Sequence, residues 1–473
     1  MRTLAKTFAA SLLFLVIATP TLPSPWARPA GLRPAAALLS PRASALAEDS
    51  NWPQWRGPGS NGVSTETGLP MYWTETENIL WKTEIEGRSH SSPIVWGNRV
   101  FVTTAVRGDV VPGHAVAAHS LFGEAYLHPD ATDGNRSHTL EVLCLDAETG
   151  QILWTSIVFK GPMYEDRHRM GSFAAPTPAT DGELVYAWFG SEGMYAFDFD
   201  GRQIWSADLG DIATIGLGVG TSPVLYENLV ILQCDENDGQ KSFIAALDKK
   251  TGEEVWRKSR PVQISWTTPN LVENPAGKIE LVTVSHEFTI AYDPATGEEV
   301  WRTVGVLSNP IATPVVDGSR VFVSAGFPRK ITMAIDTGGS GDITETKYRA
   351  WDYEKGTAYV VSNLVYDGYV YLLNDKGIIT CLDAETGELV YEGGRVPIPA
   401  TFKASPVAFD GKILLASEDG DVFIIKAGPV HELMISNSLN EPIWASPAIA
   451  NGTIFIRGDS HLFAIREMSG AGS

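Results

Sequence analysis

Short runs of alternating hydrophobic and polar residues recur along the chain, and many of them flank a small polar loop. In each loop an Asp precedes a turn that closes with Gly, and a Trp or Tyr follows four residues after the Gly. The Asp can accept hydrogen bonds from the turn, and Gly adopts the positive φ that closes a hairpin. Each loop is therefore predicted to join two antiparallel strands, with its aromatic residue packed between neighbouring units. The loops lie at Leu145–Trp154, Asp198–Trp205, Leu247–Trp256, Tyr292–Trp301 and Leu382–Tyr391.

A second pattern marks where each unit begins: Ser, Thr or Ala precedes Pro, and a β-rich run, a turn and another run follow. From Ala175 onward, successive copies lie 41 to 49 residues apart, which accommodates four short strands per unit. The pattern predicts an all-β fold, an eight-bladed β-propeller, with a seven-bladed ring as the alternative. The copies are Ser92-Pro93, Ala175-Pro176, Ser222-Pro223, Thr268-Pro269, Thr313-Pro314, Ser405-Pro406 and Ser446-Pro447, with Ser362-Asn363 in the place of an eighth.

The last unit begins too near the C-terminus to contain four strands. A β-rich run at Asn78–Ile85 places Trp81 where the loop pattern places its aromatic residue. We therefore expect this N-terminal strand to complete blade eight and close the ring, which removes exposed sheet edges.

The first 47 residues differ in composition from the rest, because they contain five basic residues and no acidic one. Arg2 and Lys6 precede the apolar run Phe8–Ala18, a pattern typical of a secretory signal peptide. An uncleaved anchor helix is the alternative, although the run is short for a bilayer span. We expect a signal peptide and Pro/Ala-rich leader at 1–47, a single propeller domain at 48–467 and a flexible tail at 468–473. The mature protein would then be periplasmic or extracellular, with no transmembrane segment.

The net charge and the cysteine content bear on two questions: whether the protein binds nucleic acid, and whether disulfide bonds hold the fold together. The formal net charge of −20 argues against nucleic acid as a partner. Three Cys do not make a disulfide framework. Cys144 and Cys381 occupy the same repeat position in different blades, and Cys234 lies in a predicted strand, so all three are expected to be small buried residues.

One insertion interrupts the repeat in blade one. Arg107–Ser137 replaces the short turn expected between the second and third strands, and a long loop on a rigid scaffold is often functional. The segment as far as His138 holds four of the nine His, but their spacing matches no compact zinc motif. We therefore predict a partner-binding or funnel-covering segment and no metal site. The four are His114, His119, His128 and His138.

The TG-x-x-x-W repeats and the opening segment Trp52-Pro53-Gln54-Trp55-Arg56-Gly57-Pro58 carry a family resemblance. The chain resembles secreted PQQ-binding-like β-propeller repeat proteins over nearly all of its mature length. These are related in fold to quinoprotein alcohol dehydrogenases and to the propeller subunit of outer-membrane protein assembly. The dehydrogenases typically carry adjacent Cys over the cofactor and a Glu, Asn and Asp set for Ca²⁺, and larger ones add a C-x-x-C-H haem motif. This chain has no adjacent Cys and no haem motif, and no calcium set can be aligned.

Loops on one face of a propeller converge on a central funnel, where a ligand would bind. Cationic side chains there would pair with the carboxylates of an anionic quinone or sugar acid, and Trp would stack on a planar ligand. The acidic run Asp235–Asp238 lacks the pattern of a calcium loop and is assigned to turn chemistry. The cofactor-binding candidates are Arg167, Arg169, Trp266, Arg329, Lys330, Lys403 and Trp444.

Two functions from different classes are compatible with these observations. The first is an exported scaffold that binds a protein or another cell-envelope component, with room for a small molecule in its funnel. The alternative is a PQQ- and Ca²⁺-dependent oxidoreductase acting on alcohols or sugars. The absence of adjacent Cys favours the scaffold, and no catalytic residue is assigned.

Overall fold

The computed structural model describes residues 50–121, 123–237, 239–306 and 309–468. These residues form eight small antiparallel sheets arranged as an eight-bladed β-propeller, as the repeat predicts. The predicted leader and all but the first residue of the predicted tail lie outside the described residues. In the described parts of the chain, no helix is long and apolar enough to cross a membrane.

Strands are numbered in chain order, and the first ten include the whole of blade one. Blade one is the sheet β3-β4-β8-β9, while β5, β6 and β7 belong to its insertion. The ten strands are β1 (Val63–Ser64), β2 (Ile79–Glu84), β3 (Ile94–Trp96), β4 (Arg99–Val110), β5 (Ser120–Leu121), β6 (Glu124–Ala125), β7 (Ala131–Thr132), β8 (Arg136–Asp146), β9 (Ile152–Pro162) and β10 (Arg167–His168).

Blades two to four each contain four consecutive strands, and a later strand extends the sheet of blade four to five strands. Blade two contains β11 (Ala179–Thr180), β12 (Leu184–Trp188), β13 (Met194–Asp198) and β14 (Gln203–Ala207), with a 3-10 turn at Gly190–Glu192. Blade three contains β15 (Val224–Tyr226), β16 (Leu229–Cys234), β17 (Phe243–Asp248) and β18 (Glu254–Ser259). Blade four contains β19 (Asn270–Glu273), β20 (Ile279–Val284), β21 (Phe288–Tyr292) and β22 (Glu299–Val304).

Blades five to eight complete the ring. Blade five contains β23 (Val315–Asp317), β24 (Arg320–Ala325), β25 (Ile331–Asp336) and β27 (Arg349–Tyr353), whereas the intervening β26 (Gly341–Asp342) pairs with β22 of blade four. Blade six contains β28 (Leu364–Tyr366), β29 (Tyr369–Leu373), β30 (Ile378–Asp383) and β31 (Leu389–Arg395). Blade seven contains β32 (Val407–Phe409), β33 (Lys412–Ala416), β34 (Asp421–Lys426) and β35 (Leu433–Ser438), and β1 pairs with β32. Blade eight contains β36 (Ala448–Ala450), β37 (Thr453–Arg457) and β38 (His461–Ile465).

The N-terminal strand closes the ring as predicted. Strand β2 pairs antiparallel with β38, with Trp81 opposite Ala464 and Glu84 opposite His461. Blade eight therefore takes its outer strand from one end of the chain and its other three strands from the opposite end, which leaves no seam in the ring.

The repeated loop also joins neighbouring blades. In the blade-one loop, Asp146 Oδ1 accepts the N–H groups of Glu148 and Thr149 at 3.0 and 2.9 Å. In four blades a Trp of the outer strand donates its Nε1–H to a carbonyl in the loop of the next blade, which confirms the predicted packing between these units, whereas Trp301 Nε1 donates to Glu280 of its own blade. The pairs are Trp81 with Ala147 (2.8 Å), Trp154 with Phe199 (2.9 Å), Trp205 with Lys249 (2.8 Å) and Trp351 with Ala384 (3.2 Å).

The Ser and Thr residues at the unit starts link six pairs of neighbouring blades by hydrogen bonds around the central channel. The backbone N–H of one start donates to the hydroxyl of the next blade's start at 2.8–3.0 Å. Thr177-Pro178, rather than Ala175-Pro176, takes this position in blade two, because only Thr177 offers the hydroxyl that Ser92 N–H requires. The predicted start of blade two was therefore wrong by two residues.

The opening segment of the domain crosses the channel. Trp52 pairs with Val95 of blade one, and Trp55 Nε1–H donates to Thr313 Oγ1 of blade five at 3.0 Å. Arg56 Nη2–H donates to the Asn363 carbonyl of blade six at 2.8 Å, and burial lowers the pKa of Arg56 to about 9. Because neighbouring residues contact blades on opposite sides of the ring, the segment spans the channel and Trp55 contributes to the wall of its cavity.

Candidate functional site

The channel contains a cavity of about 550 Å³ whose wall is built from unit starts and the loops between blades. Seven hydroxyl residues of the starts line it: Thr177, Ser222, Thr268, Thr313, Ser362, Ser405 and Ser446. Six of these hydroxyls already accept a hydrogen bond from the backbone N–H of the preceding blade, as described above. The large side chains of the wall are therefore what a ligand would meet first.

Aromatic residues make up much of the remaining wall. Trp266 is held by a hydrogen bond from its Nε1 to the Gly218 carbonyl at 2.8 Å. The Trp444 ring stacks on His90 with centroids 5.1 Å apart and an interplanar angle of 10°. Phe327 and Tyr359 pack edge to face at 5.6 Å. Such a concave aromatic surface suits a planar or apolar group.

His90 is neutral at physiological pH. Burial, followed by the positive charges of Arg88 and Arg167 among others, lowers the pKa of His90 to about 3. The Arg88 guanidinium lies 5.4 Å from the centroid of the Trp444 ring, on which His90 also stacks. Both contacts fix the orientation of this tryptophan at the cavity wall.

Three of the seven residues proposed from the sequence lie in the cavity wall: Trp266, Lys403 and Trp444. Lys403 Nζ lies 3.5 Å from Glu418 Oε1, so its charge is partly offset before any ligand arrives. The structure thus brings together two tryptophans and one cation of the proposed set.

The other four proposed residues lie outside that wall. Arg167 is buried and donates to Asp133 and to backbone carbonyls, including those of His168 and Gly171, so it holds the loop between blades one and two. Arg169 is largely exposed, with its Nε 2.8 Å from Asp130 Oδ1. Arg329 pairs with Glu354, and Lys330 is exposed.

The insertion in blade one reaches the cavity, which supports the predicted funnel-covering role. Strand β7 pairs with β10, with His168 opposite Ala131, and this contact places His128 and Asp130 in the cavity wall. Strands β4 and β8 extend to Val110 and Arg136, so the segment that departs from the blade is shorter than the predicted Arg107–Ser137.

A buried carboxyl supports the base of this insertion. Glu165 accepts hydrogen bonds from the N–H of Thr214 at 2.8 Å and from the Thr214 hydroxyl. Burial raises the pKa of Glu165 to about 8. Burial also lowers the pKa of His119, and His119 Nε2 lies 3.7 Å from the Glu165 carboxylate. At neutral pH both shifts favour the uncharged forms of this pair.

The same contact assembles a group that the sequence did not indicate. One ligand atom from each of His128, Asp130 and His168 lies within 4.8 Å of the other two, and the three side chains are half-buried. His168 lies between the sequence-predicted candidates Arg167 and Arg169, but nothing in the spacing links it to the insertion. The pairing of β7 with β10 joins them.

Comparison with known proteins identifies the architecture. Residues 138–391, more than half of the chain, match the model of a family described as outer membrane protein assembly factor BamB. The chain belongs to this family of PQQ-like propellers. No curated protein sequence matches the chain significantly.

Solved structures resemble this PQQ-like propeller at low sequence identity. BamB from Moraxella catarrhalis has a TM-score of 0.50 and 15% identity, covering 74% of this chain and 99% of that chain. A europium-containing methanol dehydrogenase has a TM-score of 0.58 and 11% identity, covering 87% and 90%. A quinohemoprotein alcohol dehydrogenase from Comamonas testosteroni has a TM-score of 0.55 and 12% identity, covering 90% and 82%. Identities this low establish a shared fold and no shared reaction.

The cavity of this PQQ-like propeller does not fit PQQ with Ca²⁺. Protein-bound Ca²⁺ takes about six to eight oxygen ligands, mostly carboxylates and carbonyls. Among the described residues of the wall, Asp130 is the single carboxylate, and there is no Asn, Gln or Glu. Cys144, Cys234 and Cys381 are buried in blades one, three and six, and burial raises the pKa of Cys144 and Cys381 to about 12. Neither the calcium ligands nor the cysteine pair of the dehydrogenases has a counterpart in this wall.

Proposed function

We propose that this PQQ-like propeller is an exported, non-catalytic binding scaffold of the cell envelope, and that it recognises a protein partner through its funnel. The observation that carries the proposal is a wall rich in aromatic side chains and fixed hydroxyls, with a single carboxylate among its described residues. A surface of this kind binds by shape and apolar contact, and it offers little for acid–base or metal-assisted oxidation.

The rim of the funnel supports a protein partner. Phe327 lies at the cavity edge with 55% of its surface exposed, next to Tyr359 and on the same wall as the tryptophans. Aromatic side chains in a concave surface are typical of the residues that dominate the energetics of protein interfaces. The family description, an outer membrane protein assembly factor, agrees with a role in binding other proteins.

Charge favours a particular chemistry for the group that enters the funnel. The wall presents Lys403 and neutral His90, while the chain as a whole is strongly acidic. The negative charge of the whole chain favours a basic partner, because opposite charges speed the encounter, and the aromatic wall favours an apolar group at the centre of the contact. The periplasm is the compartment we assign, on the signal pattern of residues 1–47 and the family description.

Site-specific photo-crosslinking tests the proposal. A benzophenone amino acid replaces Phe327 in the full chain, and the cells that produce the protein are irradiated before the envelope fraction is analysed. We expect a discrete adduct between the propeller and one protein, whose identity mass spectrometry provides.

Val430 is the matched control position, because it is 70% exposed and lies in the loop before β35 rather than in the cavity wall. The same amino acid at position 430 should give no such adduct. Identical adducts at both positions, or none at position 327 in a protein with unchanged circular dichroism, would contradict recognition through the funnel.

A further inference from the structure

The half-buried group formed by His128, Asp130 and His168 joins two separate parts of the chain. His128 and Asp130 belong to the insertion of blade one, and His168 belongs to β10 in the loop towards blade two. Asp130 Oδ2 lies 3.5 Å from His168 Nε2, and one ligand atom from each of the three residues lies within 4.8 Å of the other two. A single ion placed among them would be within bonding range of all three after small side-chain adjustments.

Arg169 orients the carboxylate of this group. Its Nε lies 2.8 Å from Asp130 Oδ1, which leaves Oδ2 directed towards the histidines. Hydrogen-bonded partners of this kind fix the ligands of metal sites and contribute to affinity.

The histidines present one nitrogen each to the group. The backbone N–H groups of Asp130 and Met170 donate to Nδ1 of His128 and His168 at 3.1 Å, which leaves Nε2 of each ring as the atom that can bind an ion. In the metal-free protein Nε2 carries the ring proton. A metal ion at Nε2 moves that proton to Nδ1, so the two local backbone contacts must open when the ion binds.

The donor set selects the class of ion. Two imidazole nitrogens and one carboxylate oxygen suit Zn²⁺ and neighbouring divalent transition metals, whereas Ca²⁺ and Mg²⁺ require oxygen ligands. Three protein ligands leave at least one position open, and all three residues line the cavity.

We propose that His128, Asp130 and His168 bind one Zn²⁺-like divalent ion, which fastens the insertion to the loop between blades one and two at the edge of the cavity. The inference does not depend on the proposed partner, because it concerns the isolated chain. The ion would sit where a donor atom of any group entering the funnel can complete its coordination.

Calorimetric titration of the untagged, chelator-treated full chain with Zn²⁺ tests the site. We expect one equivalent per chain and a rise in the thermal unfolding midpoint, because an ion that binds the folded state stabilises it. Co²⁺ in place of Zn²⁺ should give visible absorption of a four- or five-coordinate site. Both His168→Ala and Asp130→Asn should weaken Zn²⁺ binding by about tenfold or more.

His431→Ala is the control, because His431 lies on the other side of the ring, where its Nε2 contacts the Arg395 carbonyl. Zn²⁺ binding should be unchanged in this variant. Asp130→Asn retains the size of the side chain, so it remains informative if His168→Ala fails to fold. Absence of saturable Zn²⁺ binding, or equal affinity in the parent protein and Asp130→Asn, would overturn the assignment.

Discussion

Asp235→Ala is expected to lower the free energy of unfolding by about 3–5 kcal/mol, since it leaves a buried cation without its partner. The side chains of Asp235 and Arg260 are both fully buried in blade three, with Arg260 Nε 2.8 Å from Asp235 Oδ1. Ser265 Oγ donates to Oδ2 at 2.6 Å, and Arg260 Nη1 lies 2.9 Å from the Tyr292 hydroxyl. In the parent protein burial alone would lower the pKa of Arg260, and the neighbouring carboxylate outweighs that effect and holds the pKa above its ordinary value. Asp235→Ala removes this carboxylate and leaves the burial penalty on the guanidinium uncompensated.

Chemical denaturation of Asp235→Ala measures this effect, with Glu432→Ala as the control. Glu432 Oε2 lies 3.5 Å from Lys426 Nζ, and both side chains are more than half exposed. An exposed ion pair contributes about 0–1 kcal/mol, so the control should unfold almost as the parent protein does. Equal losses in the two variants would show that the Asp235–Arg260 pair is not buried as described.

Gly252→Ala is expected to cost about 2–4 kcal/mol, the sum of backbone strain and overpacking. Gly252 has a φ of +73°, and a Cβ built on it would lie 2.5 Å from the Trp205 ring. That ring is also held by the hydrogen bond from Trp205 Nε1 to the Lys249 carbonyl. The added methyl group would therefore push the Trp205 ring away from the Gly252 loop and weaken the contact that joins blades two and three.

Gly318→Ala separates strain from crowding. Gly318 has a φ of +58°, and a Cβ there would meet no atom within 4 Å. The control should lose about 1–2 kcal/mol, from the backbone conformation alone. Thermal or denaturant unfolding of both variants gives the comparison, and a Gly252→Ala loss no greater than that of Gly318→Ala would contradict the proposed contact between loop and tryptophan.

The blade count and ring closure were predictable from the sequence because both depend on a local pattern that repeats. Each unit carries its own turn chemistry, and Trp81 shows the same pattern at the far end of the chain. The start of blade two was misplaced because Ala175-Pro176 and Thr177-Pro178 both fit the pattern of a small residue followed by Pro. The hydrogen bond from Ser92 N–H distinguishes them, and it spans 85 residues.

The candidate site was predictable only in part. Trp266 and Trp444 follow from loop position, but the direction of a charged side chain depends on partners elsewhere in the fold. Arg167 faces Asp133 instead of the cavity, and Trp55 enters it from a segment that crosses the whole ring. The group of His128, Asp130 and His168 depends on how an irregular insertion docks on a neighbouring loop, and hydrophobic periodicity carries no information about that contact.

The central claim is that the funnel is a recognition surface and not a quinone site. Titration of the full chain with PQQ and Ca²⁺, followed by calorimetry and by a dye-linked alcohol and sugar oxidation assay, tests it most directly. We predict no stoichiometric binding and no turnover, because the described cavity wall offers one carboxylate and no cysteine pair. Tight binding of one PQQ per chain with Ca²⁺-dependent oxidation would contradict the account and make the protein a quinoprotein dehydrogenase.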